Sequence, residues 1–246
     1  MRMKILSIGN SFSQDAHRYL HAVAKGYGKE MLAANLYIGG CSLQTHYDNM
    51  QSGESAYDLE INGESTGEKI SLSEALQKEA WDVVTLQQCS PLSGKVSTYT
   101  PYLQSLAAKI REICPLAKLY MHQTWAYEEG CEMLKNTAGF TTAIEMAYAV
   151  KNAYNLAAKK INADGIIPCG KGMFYLAQKG IKAHRDNFHA SLGVGRYLLS
   201  LIWYGALTGE PIEENPFDGF DEEVSSIEKM LAVAAAQYAL KDGYVW

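Results

Sequence analysis

The sequence predicts an α/β protein, a parallel sheet covered by helices on both faces. Short apolar runs of strand length alternate with longer stretches of helical period. The first run, Lys4–Gly9, is almost uninterruptedly apolar, as a strand buried on both faces must be. The size agrees. With 246 residues and 48% hydrophobic content the chain can bury one substantial core, and no composition break, repeat or low-complexity tract marks a second domain.

Each element has a local reason. Gln14–Tyr27 reads as a helix, with Ala16, Leu20, Val23 and Ala24 at helical spacing and Gly26 and Gly28 at its end. Met31–Ile38 is a second strand running into Gly39-Gly40. The polar, glycine-bearing stretch 52–69, with Asn62-Gly63 and Thr66-Gly67, reads as a surface hairpin inserted in the fold. Ser71–Ala80 is a short helix, because Ser71 and Glu74 have capping-box spacing. Asp82–Gln87 is the third strand. Pro101–Ile113 is a helix opened by a proline, which lacks only an N–H that the first turn leaves unbonded. Lys118–His122 is the fourth strand. Gln123–Gly139, carrying Trp125, Tyr127, Glu128 and Glu129, has the length of a binding loop or lid. A long helix over Thr141–Ile161 and a brief fifth strand at Gly165–Pro168 follow. Helices near Gly172–Gln178, Ser191–Leu207 and Glu222–Leu240 complete the chain.

Composition narrows the function. A formal charge of −5 and a pI near 5.7 argue against a nucleic-acid partner. Leu198–Leu207 is interrupted by Tyr, Ser and Gly and falls short of the roughly 20 apolar residues of a membrane span. Met1-Arg2-Met3-Lys4 runs straight into the first strand with no small-residue cleavage site, so a cytoplasmic protein is expected. A homo-oligomer stays open. Five cysteines (Cys41, Cys89, Cys114, Cys131 and Cys169) form no C-x-x-C pair and are odd in number, which reads as reduced thiols. His17 and His21 lie four apart on the first helix. Without an acidic or third ligand nearby in sequence they read as a solvated face, and no metal or cofactor is expected.

In an open parallel sheet ligands sit at the carboxyl ends of the strands. Five loops meet that edge here. They carry Asn10-Ser11, Gly39-Gly40, Gln87-Gln88, His122–Trp125 and Asp186–His189. A serine hydroxyl is a poor nucleophile unless a base takes its proton, and the base works best when a third group fixes its tautomer. Ser11 on the turn after a buried strand, with Asp186 and His189 in one local turn near the chain's other end, can supply all three parts. Ser11 would attack an acyl carbonyl, His189 would carry the proton, and Asp186 would orient the imidazole. His184, two residues before Asp186, would leave that aspartate unemployed. The oxyanion needs preset donors, each worth roughly 10²–10³ in rate. The N–H of Ser11 is one, and Gly40 a second, since a Gly-Gly turn lets the backbone approach a ligand closely. Asn10, Gly39, Gln88, His122 and Trp125 are further candidates for the substrate pocket. Trp125 and Tyr127 could stack on a sugar ring, and Cys41 beside the same edge is a rival nucleophile.

Gly9-Asn10-Ser11-Phe12-Ser13 and Asp186-Asn187-Phe188-His189 resemble the first and last blocks of the SGNH (GDSL-like) hydrolase superfamily. The resemblance implies a three-layer α/β/α sandwich with a five-stranded parallel sheet of order 2-1-3-4-5. It also implies a third oxyanion donor, a side-chain amide after the third strand. There the family usually has Gly-x-Asn-Asp, whereas this chain reads Leu86-Gln87-Gln88-Cys89-Ser90. Gln87 is the expected donor, which is nearer to the glutamine-bearing branch that includes sialate O-acetylesterase-like and gut-bacterial members. The implied activity is hydrolysis of an ester, most simply an O-acetyl group on a carbohydrate or other small acylated substrate, by a Ser-His-Asp triad. Two rivals share the alternating pattern. A flavodoxin- or Rossmann-like nucleotide-binding module would need a glycine-rich phosphate loop that Gly9–Ser13 does not provide. A catalytically inactive carbohydrate-binding relative would have no use for an intact Ser/Asp/His set.

Overall fold

A computed structural model describes residues 2–241. Its sheet has seven strands in the order β4-β3-β2-β1-β5-β6-β7. These are β1 (Met3–Gly9), β2 (Met31–Tyr37), β3 (Tyr57–Ile61), β4 (Glu64–Ile70), β5 (Val83–Leu86), β6 (Lys118–His122) and β7 (Gly165–Ile167). β2, β1, β5, β6 and β7 run parallel, which is the implied 2-1-3-4-5 arrangement of the five expected strands. The expectation of a purely parallel five-stranded sheet needs correction. The 52–69 stretch is not a free surface hairpin: its strands β3 and β4 pair antiparallel on the outer edge of β2. An unpaired β2 edge would expose a row of backbone donors and acceptors, and the hairpin covers it. Asn62 (φ 53) and Gly63 (φ 75) make its turn, both in the left-handed region that a tight hairpin of this hand requires.

Helices α1 (Ser11–His17) and α2 (Leu20–Gly26) pack with α8 (Val194–Thr208), which is joined by α7 (Cys169–Gln178) and α9 (Ser226–Lys241). On the other face lie α3 (Leu43–Ser52), α4 (Leu72–Lys78), α5 (Tyr102–Ile113) and α6 (Ala143–Lys160). Right-handed crossovers between parallel strands put them there. Ser71 caps α4 through the expected reciprocal bonds with Glu74, at 3.2 and 2.9 Å. Thr142 opens α6 with the same capping box. Among the described residues no helix is long and apolar enough to cross a membrane.

The single helix expected over Gln14–Tyr27 is two, broken at Arg18–Tyr19. The hairpin turn presses on the break: a side chain on Gly63 would come within 2.5 Å of the Arg18 Cα. Arg18 turns outward there, donating to Asp221 at 2.8 and 2.7 Å and to Glu64 at 2.9 Å. The Arg18 bonds hold the Asp221 carboxyl down at about 2 against an opposing effect of burial, and the Arg196 charge adds to this. Because the folded value lies below the free one, the stabilisation is complete above about pH 4 and is lost as the pH falls towards 2. Asp221→Asn should therefore lower Tm at pH 7 by about 3 °C, for a partly exposed pair worth about 1 kcal/mol. The gap between variant and wild type should close on acidification. A gap that stays constant from pH 7 to 2.5 would exclude Asp221 as the acid-sensitive clamp.

His17 is not on a solvated face. Ser7 interrupts the apolar run of β1, and its hydroxyl is bonded to Thr85 at 2.8 Å and to the buried His17 Nε2 at 2.9 Å. Burial lowers the His17 pKa to about 3, which keeps it neutral against the edge of Trp203. Among the described residues no group of three or more His, Cys, Asp or Glu is placed to hold a metal ion.

Candidate active site

β1 ends at Gly9, and the chain turns at once into α1. A side chain on Gly9 would lie 2.1 Å from the Ser13 Oγ, so only glycine permits a turn this tight. Asn10 caps the helix: its Oδ1 accepts from the Phe12 N–H at 3.0 Å, and Ser13 Oγ accepts from the Asn10 N–H at 3.0 Å. Ser11 becomes the first helical residue, half-exposed at the carboxyl edge of the sheet. Its backbone N–H is among the first-turn amides that have no helical acceptor.

The other end of the chain meets it there. Ser11 Oγ lies 2.8 Å from His189 Nε2, and His189 Nδ1 lies 2.8 Å from Asp186 Oδ2. Asp186 Oδ1 also accepts from the His189 backbone N–H at 2.9 Å, closing a turn in which Asn187 takes a left-handed conformation (φ 73). A carboxylate only accepts, so Nδ1 carries the proton and Nε2 is left free to accept from Ser11. Burial opposes the charge on Asp186. The two bonds from His189, with the nearby His189 and Arg185 side chains, still hold its carboxyl below the usual range.

Asn10, Ser11, Gly39, Gly40 and His189 line one open cavity of about 320 Å³. Gly40 sits in a turn closed by a Cys41 N–H bond to the Ile38 carbonyl at 3.2 Å. Phe12, Gln14, Tyr37, Ser90, Arg185 and Phe188 complete the lining. Phe12, Phe188 and Ser90 lie inside the motif blocks without a signal that assigns them to the pocket, and Gln14 and Tyr37 carry no local motif. Arg185 had one signal, its place directly before Asp186.

Four expected pocket residues lie elsewhere. Gln87 is buried behind Asn10, with its Nε2 donating to Asn10 Oδ1 at 2.6 Å and its Oε1 accepting from His122 Nδ1 at 2.6 Å. In place of Gln87 the cavity is lined by Asn10, whose Nδ2 donates to the Cys41 carbonyl at 3.2 Å. Gln88 braces loops: its Oε1 accepts from the N–H groups of Leu43 and Cys89, and its Nε2 donates to Thr98. His122 is fully buried, and burial brings its pKa down to about 3, so it serves as a neutral donor to Gln87. Trp125 is fully buried as well, stacked on Phe12 at 4.2 Å and donating to the Phe188 carbonyl at 2.7 Å. Tyr127 is buried too, its hydroxyl 2.9 Å from Ser90 Oγ. The start of the 123–139 segment is thus a floor beneath the 186–189 turn, not a lid, and Glu128 N–H donates to the Asn187 carbonyl at 2.7 Å. A larger cavity of about 620 Å³ beyond Tyr127 includes none of Ser11, Asp186 and His189.

The two rivals within the sequence also separate. His184 Nε2 faces the Ala126 carbonyl at 3.1 Å, away from Ser11. The Cys41 thiol is buried, and burial, with Cys89 nearby, pushes its pKa up to about 12, far from a thiolate.

The parallel 2-1-3-4-5 core of this sheet is a fold that the chain shares with solved structures described as hydrolases and lipases. The solved structures agree on the fold. A protein of Slackia heliotrinireducens proposed to be an SGNH hydrolase superposes with a TM-score of 0.61 at 21% identity, over 84% of this chain and all (100%) of its own. The lipase/acylhydrolase of Enterococcus faecalis does so with a TM-score of 0.55 at 13% identity, over 84% and 96%. The chain itself belongs to the family described as "Domain of unknown function (DUF4886)", whose model matches residues 4–239. A DUF4886 family protein from Bacteroides uniformis is 35% identical, with a TM-score of 0.90 over 98% of this chain and 96% of that one. No curated protein matches the chain.

Proposed function

We propose that the protein is a serine hydrolase of ester bonds, acting on an O-acetylated carbohydrate or another small acylated substrate. The observation that carries this reading is the unbroken chain Ser11 Oγ–His189–Asp186, with both links at 2.8 Å. In the first step Ser11 Oγ attacks the acyl carbonyl while His189 Nε2 takes its proton. His189 then protonates the leaving alkoxide, and water reverses the sequence to release the acid. Asp186 stays ionised and stabilises the imidazolium. The oxyanion is met by the N–H of Ser11, the N–H of Gly40 and the Asn10 Nδ2, the last in place of Gln87. Gln87 becomes a positioning residue that helps to fix the Asn10 amide.

The cavity supports a short acyl group and a polar alcohol. About 320 Å³ of open space is walled on its apolar side by Phe12 and Phe188, and Gln14, Tyr37, Ser90 and Arg185 add hydrogen-bonding groups. A fluorophosphonate probe should label the native protein on Ser11, as read by peptide mass mapping, and heat-unfolded protein should not react. Labelling at another residue, or none, overturns the triad.

A further inference from the structure

We propose that the substrate of this site carries a carboxylate, received by Arg185; the proposal rests on the esterase reading and narrows its substrate class to acidic esters. Arg185 lines the same cavity as Ser11 and His189. Its side chain is 26% exposed, yet it is anchored from behind. Nη1 donates to both oxygens of Asp15 at 2.9 Å and also to the Ala190 carbonyl. Asp15 is completely buried and receives a second cation, Arg196 Nε, at 2.9 Å. Arg196 in turn reaches Asp221 at 2.7 Å.

One buried carboxylate thus sits between two guanidinium groups. Among the described residues every side-chain hydrogen bond of Arg185 uses Nη1. Its Nε approaches Asp186 only to 4.0 Å, and its Nη2 has no acceptor among the described residues. Asp186 itself is engaged by two bonds from His189. What remains is the Nε–Nη2 edge of a rigid, planar donor on a residue that lines the same cavity as the reacting hydroxyl. That edge matches a carboxylate in two-point contact, and because it is already fixed little side-chain entropy is lost on binding.

Tyr37 lines the same cavity, and its hydroxyl makes no hydrogen bond among the described residues. Burial, with Glu60, Asp58 and Asp15, pushes that hydroxyl up, and the Arg185 charge opposes them, so the two donors share one neighbourhood. Of the facing carboxylates, Glu60 is bonded by Gln14 and by Asn35, the latter at 2.8 Å.

The test compares kcat/KM for 4-acetoxybenzoate with that for its uncharged amide, 4-acetoxybenzamide, each normalised to its rate with hydroxide. The wild-type protein should favour the carboxylate by about ten-fold or more, the scale of one charge-assisted hydrogen bond. The preference should shrink as NaCl is raised towards 0.5 M. Arg185→Gln should bring the ratio near one, and Arg185→Lys should retain part of it. The ratio is insensitive to a general loss of active protein. If the variants fail to fold, the wild-type ratio and its salt dependence decide alone. Turnover of both esters with a ratio near one overturns the carboxylate site and leaves the esterase reading intact. Absence of turnover together with absence of Ser11 labelling overturns both.

Discussion

Ser11→Ala is expected to lower kcat on 4-nitrophenyl acetate by about 10³-fold or more, because it removes the attacking atom and leaves the oxyanion donors in place. Folding should be nearly untouched. Ser11 is half-exposed at the first position of α1, its hydroxyl bonds only to His189 among the described residues, and alanine is a better helix former. A change in stability within about 0.5 kcal/mol is expected, checked by thermal melting. Retention of more than a tenth of the activity in a folded variant would remove Ser11 from the mechanism.

Gln87→Ala should reduce kcat by roughly 10²-fold with KM little changed, through Asn10 and not through direct contact with substrate. The side chain spans two buried partners, so its removal takes away one of the three hydrogen bonds that hold the Asn10 amide and strands the Nδ1 proton of His122. Three comparisons separate positioning from general destabilisation. Asn10→Ala should cost at least as much in kcat, and the double variant should be no worse than Asn10→Ala alone, since a positioning residue has nothing left to position. Gln87→Asn should recover part of the loss. Gln88→Ala should lower Tm more than kcat, because Gln88 ties Leu43, Cys89 and Thr98 together away from the cavity. Additive losses in the Asn10/Gln87 double variant would mean that Gln87 reaches the oxyanion itself.

What could be read beforehand was what local chemistry decides. The β1 run, the Gly9–Ser11 turn, the Ser71–Glu74 cap and the Asp186–His189 turn each follow from a few adjacent residues, and each was legible in the sequence. The parallel order came from the family resemblance, and the five parallel strands follow it. The misses have one cause: a partner distant in the chain. Asn62-Gly63 announced a hairpin, but pairing with β2 depends on which sheet edge lies open. His17 looked solvated on its own helix, although Ser7 inside an apolar strand was a hint of a buried polar partner. Trp125 had the composition of a sugar platform and is instead covered by Phe12. Gln87 had the right chemistry one layer too deep, because Asn10 stands between it and the cavity.

Ser11 and His189 are 178 positions apart, and Asp15 is 170 from Arg185 and 181 from Arg196. Synthesis runs from the serine end, so the hydroxyl leaves the ribosome well before the imidazole exists. Until both arginines have been made, burying Asp15 would mean desolvating an unpaired carboxylate, which costs several kcal/mol. Helix α1 packs against α8, and α8 itself carries Arg196, so the partner that pairs Asp15 arrives with the surface that buries it. The growing polypeptide carries a serine with no base beside it until residue 189 has been made.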